Sequence, residues 1–405
     1  MNHNTVVILG AGVTGLSTAY HLARKGFGKV IVLDKGPVGD GSSSRAAGII
    51  TGLLWSETGV LARKISLQLF RELSEDLAGY RFQAVGALNL FDPLSWKERE
   101  KLLPLYDRCN VPYEILDADE MRRRWPDLYP REDFIGLFDP RGGYSEPQDY
   151  IPALAQKCTE LGVEIREYQL VTDFILHGER ITGVRTVQET IEADAVVSTV
   201  YSWTNVLLSK LDLRLPVKAV IHQRYITEPL SKPLAIPAVN ADPLGGYVRP
   251  ATGGRLLFGI ETAEREEQRV TDLEYRLSKL EQYPDAKYSP ARLKEEIRTR
   301  FTPFVPSLET VRWETDKVGL LTFSMDGEPI LGPVNQVPGL YIGVAFHSGG
   351  FAYNPVSGLL LAEFVADGCT RLDVSAFSPD RFNPAETDRY LAETVKQKNV
   401  AHRRH

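Results

Sequence analysis

Near the start of the chain the apolar positions fall into three consecutive rhythms. Val6 to Leu9 form an unbroken aliphatic run suited to a strand buried on both faces. Leu16, Ala19, Tyr20, Leu22 and Ala23 then recur at helical spacing until Gly26 ends the helix, and Val30 to Leu33 form a second buried strand. Leu61, Ile65, Leu69, Leu73 and Leu77 predict one long helix over Glu57 to Tyr80, followed by a strand pair over Phe82 to Phe91. Trp96 to Leu128 reads as helical and amphipathic, with Trp125 just before a helix-ending proline.

From Gln148 the helix-then-strand order returns, with a helix to Leu161 closed by Gly162 and a strand at Val163 to Arg166. Val171 to Leu176, Ile181 to Val187 and Ile191 to Glu192 predict short strands around a turn at Gly178, and Ala193 to Thr199 a buried strand. A second excursion, Leu215 to Leu321, alternates with period two in VIHQRYITE, as an antiparallel sheet with one wet face does, and carries charged helices near Thr271 to Gln282 and Pro290 to Phe301. The chain closes with a strand at Leu340 to Val344, a glycine-containing loop, and a helix starting near Pro355. The expected class is α/β, α+β overall. Residues 1–85, 142–214 and 322–383 would form a discontinuous nucleotide domain, 86–141 and 215–321 an antiparallel-sheet substrate domain, and 384–405 a terminal helix and tail.

Composition narrows the class. With 43% hydrophobic and 25% charged residues there is ample apolar surface for a globular core, and a net charge of −6 points away from nucleic acid. The basic run Arg122 to Arg124 sits among Asp117, Asp119 and Glu120, as on a solvated helix face. No stretch reaches the about 18 apolar residues of a membrane span, and the four-residue apolar run at the start reads as a strand rather than a signal peptide. Cys109, Cys158 and Cys369 share no metal-like or redox spacing and read as free thiols of a reducing, cytoplasmic compartment. The scattered histidines, including His402 and His405, predict no metal site.

Between the first strand and helix lies GxGxxG, with Gly10 for the tight turn, Gly12 for close approach of a pyrophosphate, and Gly15 for helix-on-strand packing. Val13 and Thr14 open the helix, whose N-terminus favours an anion. Asp34, followed by Lys35, ends the second strand about 20 residues on, where a carboxylate can accept ribose hydroxyls and would repel a 2′-phosphate. The next stretch, GPVGDGSSSRAAGIITG, is either a surface loop or backbone that passes close to a large flat ligand. A second helix start, around His347, Ser348, Gly349 and Gly350, offers backbone N–H groups to electron-rich oxygens. FAD, with a pyrophosphate and a flavin C2 carbonyl, satisfies both helix starts; a nicotinamide enzyme would not require the second.

Four blocks carry a family resemblance: GAGVTGLSTAYHLARKG with Asp34, GSSSRAAGI, GGYSEPQDYIPALAQKCTELGV, and DGEPILGPVNQVPGLYIGVAFHSGGFAYNPVSG with SAFSPDRF. The chain resembles the D-amino-acid-oxidase-like flavoenzymes, the group of glycine oxidase, sarcosine oxidase, dimethylglycine dehydrogenase and proline dehydrogenase β subunits. That implies a Rossmann-like FAD domain. Gly10, Gly12, Gly15 and Asp34 match the ADP-binding residues; Ser42, Ser43, Ala46, Ala47 and Gly48 match the segment under the flavin; Val171 matches the adenine strand; Gly349, Gly350 and Phe351 match the loop at the pyrimidine edge. No histidine lies near Arg45 and no cysteine shortly before the last block, where relatives attach the flavin, so the FAD is expected to be non-covalent. In TVYSWTNVL, Val200 and Tyr201 stand where relatives keep a glycine, which puts packing near the adenine side in question.

The implied chemistry is oxidation of a neutral amine α to a carboxylate, with hydride passing to flavin N5 and the imine hydrolysing to an oxo acid or aldehyde. Oxygen or an electron-transfer partner would take the electrons, and a homo- or hetero-oligomer is compatible with the resemblance. The substrate carboxylate needs a cation. Arg249 with Tyr247, on one face of GYVRP, and Arg224 in HQRYITE are candidates, each with the alternative of a surface strand residue; Arg45 is another possibility near the ring. His347 is either a hydrogen-bond donor or proton relay beside the flavin, or a histidine capping its own loop. Two other readings share the cofactor residues: a 2-hydroxy-acid dehydrogenase that uses a base such as His347, and a partner subunit or assembly factor with little turnover of its own.

Overall fold

The computed structural model describes residues 4–261, 267–282 and 289–393. Its first layer is a six-stranded sheet in the spatial order Ile330–Pro333, Leu340–Val344, Ala195–Ser198, Thr5–Leu9, Lys29–Leu33, Glu164–Arg166. All neighbours are parallel except the Ile330–Pro333 edge strand. Val6, Val7 and Ile8 have no exposure, as expected of a strand covered on both faces. A three-stranded antiparallel sheet, Val171–His177, Arg180–Thr186 and Thr190–Glu192, packs beside it.

The second excursion and residues 87–139 build one eight-stranded sheet, ordered Trp313–Ser324, Val217–Thr227, Arg255–Ile260, Gly246–Ala251, Ala238–Ala241, Ala87–Phe91, Ile135–Asp139, Glu114–Leu116. It is antiparallel apart from the pairing of Ala238–Ala241 with Ala87–Phe91. The Pro290–Phe301 helix covers one face, burying Leu293, Ile297 and Phe301.

Several local expectations change. Phe82 to Phe91 supplies a single strand, Ala87–Phe91, because Gln83 leaves it to bridge Tyr144. The long helix after Trp96 is broken into Pro93–Arg99, Leu103–Arg108 and Ala118–Arg124, with the edge strand Glu114–Leu116 between the last two. Asn110, at φ +50, turns the chain after Cys109. Near Thr271 to Gln282 the regular structure is a 3-10 turn at Leu277–Gln282. The tail forms a helix at Pro384–Ala392; residues 394–405, with His402 and His405, lie outside the described residues.

The helix after the His347 turn, Gly350–Asp367, starts five residues before Pro355. Pro355 lacks the N–H that would bond the Phe351 carbonyl, and Asn354 Nδ2 takes that carbonyl at 2.5 Å while its Oδ1 accepts from Tyr150 Oη at 2.8 Å. The proline is therefore tolerated inside the helix. Gly350–Asp367 is buried over most of its length, and no helix among the described residues is long and apolar enough to cross a membrane.

This helix crosses Val13–Arg24 at Gly358, where a Cβ would lie 2.2 Å from Ser17 Oγ and 2.5 Å from its backbone carbon. Backbone on one side and buried helix on the other leave no room to move. Gly358→Ala is expected to cost about 2 kcal/mol or more, read as a lower urea midpoint with unchanged m-value.

Candidate functional site

One cavity runs between the two large sheets. At one end Leu9, Gly10, Gly12, Val13, Thr14, Asp34 and Lys35 line it, along its length Ser42, Ser43 and Arg45 to Ile49, and at the other end Thr51, Leu53, Leu54, His222, Tyr247 and the 346–348 turn. Gly10 sits at φ +100, and a Cβ on Gly15 would lie 1.9 Å from the Gly10 carbonyl, so the helix can approach the turn only with hydrogen there. Asp34 takes the Ala11 N–H at 2.8 Å and the Gly36 N–H at 2.9 Å. Burial raises its carboxyl, and those two backbone bonds oppose the rise.

The small-residue stretch lies against the cavity. Val13 N–H donates to Ser43 Oγ at 3.1 Å and Ser42 Oγ to the Leu320 carbonyl at 2.9 Å, tying it to the first helix and to the eight-stranded sheet. Gly48, at φ +72, would place a Cβ 2.0 Å from the Ser145 carbonyl. Lys35 does not hang free: Nζ donates to the carbonyls of Leu273 at 2.7 Å and Tyr275 at 2.6 Å and lies 3.7 Å over the Trp203 ring. Arg45 Nη1 donates to the carbonyls of Asp40 and Gly41 and Nη2 approaches Glu281, which holds the arginine against its own turn. Val171 lines the cavity with Gln169, whose buried Oε1 has no partner among the described residues.

The two arginines expected to hold a carboxylate are placed differently. Arg249 is fully buried and absent from the cavity wall; Nη1 and Nη2 grip Glu146 at 2.8 and 2.9 Å, and Nε donates to the Ala47 carbonyl at 2.5 Å. Its fork is filled, so it is not brought to a ligand. Arg224 also lies off the cavity wall, with Nη2 on the Ser44 carbonyl at 2.7 Å. Burial works to raise the Glu146 carboxyl, but the Arg249 hydrogen bonds and charge outweigh it and hold it below the ordinary range. Tyr247 does reach the cavity, where its hydroxyl lies 2.8 Å from His222 Nε2.

His347 sits at φ +56 on the cavity wall, Nε2 3.2 Å from Ser324 Oγ. Burial lowers its pKa to about 4, against the Asp326 charge and a bond to the Glu328 backbone. Ser348, Gly350 and Phe351 line the cavity; Gly349 stands behind them, its carbonyl 3.4 Å from Arg63 Nη2. Tyr201, whose bulk put packing in question, takes φ +50, and its hydroxyl accepts from Thr322 N–H at 3.0 Å and donates to the His347 carbonyl at 3.4 Å. Side-chain bonding offsets the left-handed strain there.

Among the lining residues that escaped the sequence reading are His222, Arg63, Arg99, Asn89 and Asn240. The arginines lie in charged helical stretches that look solvated, and only their burial, 1% and 3% exposed, distinguishes them.

Against known proteins, a family model described as FAD dependent oxidoreductase (DAO) matches residues 5–364. The chain is 27% identical to 4-methylaminobutanoate oxidase (formaldehyde-forming) of Paenarthrobacter nicotinovorans over 98% of its own length but only 48% of that protein's, so it spans about half of that relative. It is 28% identical to sarcosine oxidase subunit beta of Arthrobacter sp, covering 93% of this chain and 90% of the relative. Among solved structures it is similar to L-proline dehydrogenase from P. horikoshii, with TM-score 0.84, 26% identity, and 94% and 97% of the two chains covered.

Two outcomes follow from the site's burial. Glu146→Gln removes the carboxylate from a buried guanidinium and is expected to cost about 3–5 kcal/mol in urea unfolding. His21, lowered to about 3 by burial, and His347 bind fewer protons folded than unfolded between those values and the ordinary 6.5. Their stabilisation is complete above pH 6.5 and falls as pH drops toward 4, by at most about 1.4 kcal/mol per pH unit for each. His347→Asn, which tolerates the left-handed backbone, should flatten that slope relative to the wild type.

Proposed function

We propose, on the premise that this chain belongs to the DAO family of FAD dependent oxidoreductases, that it oxidises the C–N bond of a small amino acid or N-alkyl amino acid. The observation that carries this is the single cavity joining the glycine cradle to the His347 turn and the face of a second sheet. The residues fit FAD: Gly10 and Gly12 leave lining backbone open to a pyrophosphate, Gly15 lets the helix close on the turn, and Gln169 Oε1, unpartnered among the described residues, could accept from a base amino group. Bound FAD supplies the two-electron acceptor for the amine's hydride.

The chain's part is to bind, orient and exclude water. Asp34 would hold the ribose hydroxyls, the Ser42 to Gly48 backbone would pass along the flavin, and the turn carrying Ser348 and Gly350 would face its pyrimidine edge. His347 is neutral at pH 7 and acts as a hydrogen-bonding group with Ser324 rather than as a cation. Tyr247, held by His222, presents its hydroxyl at the substrate end. A hydroxy-acid dehydrogenase would need a base for the hydroxyl proton, and a histidine lowered to about 4 is a weak one; this favours the amine. The FAD is held without a covalent bond in this reading, which is supported by none of the three cysteines lining the cavity and by the lack of a histidine near Arg45, where histidine-linked relatives attach the flavin. Similarity to a subunit called beta supports assembly with a second chain, and oxygen or an electron-transfer partner takes the electrons. A cytoplasmic site of action accords with the free cysteines.

Anaerobic mixing of the holoprotein with sarcosine, glycine, proline and other amines should bleach the flavin, while lactate and 2-hydroxyglutarate leave it oxidised. Bleaching by the hydroxy acids alone would overturn the proposal; recolouring in air would identify oxygen as the acceptor. Acid precipitation should release the flavin into the supernatant.

A further inference from the structure

With Arg249 and Arg224 turned away, the cavity's cation must come from elsewhere. Arg99 ends the Pro93–Arg99 helix and is 3% exposed. Nη1 is committed, donating to the Leu53 carbonyl at 3.1 Å and Tyr106 Oη at 2.9 Å. Nε is buried with no hydrogen-bond partner, and among the described residues no acceptor meets Nη2 and no carboxylate pairs with the group. Aromatic faces flank the guanidinium, with Trp55 at 4.1 Å and Phe91 at 5.1 Å from its carbon. The unused Nε–Nη2 edge is the one that takes a carboxylate through two parallel bonds.

A buried guanidinium without an anion is costly unless a ligand supplies one. Arg99 lines the cavity together with Asn89 and Asn240, which are joined at 3.1 Å from Asn240 Nδ2 to Asn89 Oδ1. Arg63 is the rival on the same wall; its Nε is likewise unpartnered among the described residues, but both of its terminal nitrogens go to backbone, Nη1 to Thr51 and Nη2 to Gly349, so it keeps no open two-nitrogen edge. Arg224 has unpartnered nitrogens too, yet it is off the cavity wall and faces Arg249 and Arg45, whose charges repel its own.

We infer that Arg99 is the specificity-determining cation of the cavity, receiving the substrate's carboxylate on its Nε–Nη2 edge with the Asn89–Asn240 pair beside it. The inference rests on the amine-acid reading above. It fixes the substrate's direction: the carboxylate lies toward the wall made by residues 87–99, and the amine toward the His347 turn. Esters and amides of the substrate lose the second acceptor oxygen's charge and bind poorly.

Calorimetric titration of the holoenzyme with propionate and with propionamide tests this directly. The wild type should bind propionate at least about 30-fold more tightly than the amide, the range expected for a charge-assisted bond. Arg99→Gln should erase that discrimination and raise the KM of the reducing amine by a similar factor, with kcat changed much less and bound flavin retained. Arg99→Lys should restore part of it. A merely structural arginine would change melting temperature and flavin content but leave the acid-to-amide ratio intact. Equal affinities in the wild type, or an unchanged ratio in Arg99→Gln, would overturn the inference, and the wild-type comparison decides even if that variant does not fold. If no amine reduces the flavin while propionate binds in an Arg99-dependent way, the amine reading fails and the anion site stands; if amines reduce it with no acid preference, the reverse holds.

Discussion

The arrangement of the cavity depends on a carboxylate that never meets a ligand. Glu146 stands at the start of the Pro147–Glu160 helix and takes both terminal nitrogens of Arg249 and the Thr252 N–H at 2.9 Å. Through Nε, Arg249 then holds the Ala47 carbonyl, while Arg224 holds that of Ser44. Backbone from 44 to 48 has little side chain of its own with which to be held. Two arginines of the second sheet and one glutamate of the first unit's helix supply that restraint, and Gly48 closes against Ser145, whose N–H it accepts at 2.9 Å. Such a buried pair contributes little net stability against its desolvation. Its value lies in fixing one geometry for a segment that would otherwise be a loop.

The same logic joins the sheets at the nucleotide end. Lys35, from the strand end of the first sheet, is caught by carbonyls at 273 and 275 and by Trp203, whose Nε1 also donates to the Tyr275 carbonyl at 3.1 Å. Burial lowers the Lys35 pKa to about 8, with the Asp34 charge opposing. At the other end Tyr201 bonds both Thr322 on the second sheet and the His347 turn. Tyr201 thus serves as a strut. Its left-handed backbone is offset by the two hydrogen bonds of its hydroxyl.

Elements whose burial is two-sided or strictly periodic were legible in the sequence: Leu340–Val344 and Pro290–Phe301 fall where their patterns end, and the glycine cradle with Asp34 is in register. Legibility fails where a distant partner decides. Glu114–Leu116 is a strand only because Ile135–Asp139 offers it an edge, and the helix after Phe346 starts early only because Asn354 covers for Pro355. Among side chains the failure has one cause. Arg249 and Arg99 are both arginines beside apolar positions, and nothing local says which meets a glutamate and which meets a cavity. Alternation placed Tyr247 and Arg249 on one face correctly, but Arg249's partner is 103 residues away.

The helix Gly350–Asp367 adds a mechanical constraint. It is buried from Phe351 to Glu363 and is held by Ser17 at Gly358, by Tyr150 at Asn354, and by Ser66 Oγ on the Ala352 carbonyl at 2.5 Å. A helix buried this way cannot shift to suit a ligand, so the turn at its N-terminus and the neutral His347 on it keep fixed positions. The unfilled guanidinium edge lies instead on the wall that carries Arg63 and Arg99. There the short 93–99 helix belongs to the eight-stranded sheet, and its terminal arginine is held by one nitrogen only. The rigid half of the cavity sets where electrons go, and the half with an unfilled guanidinium edge sets which molecule delivers them.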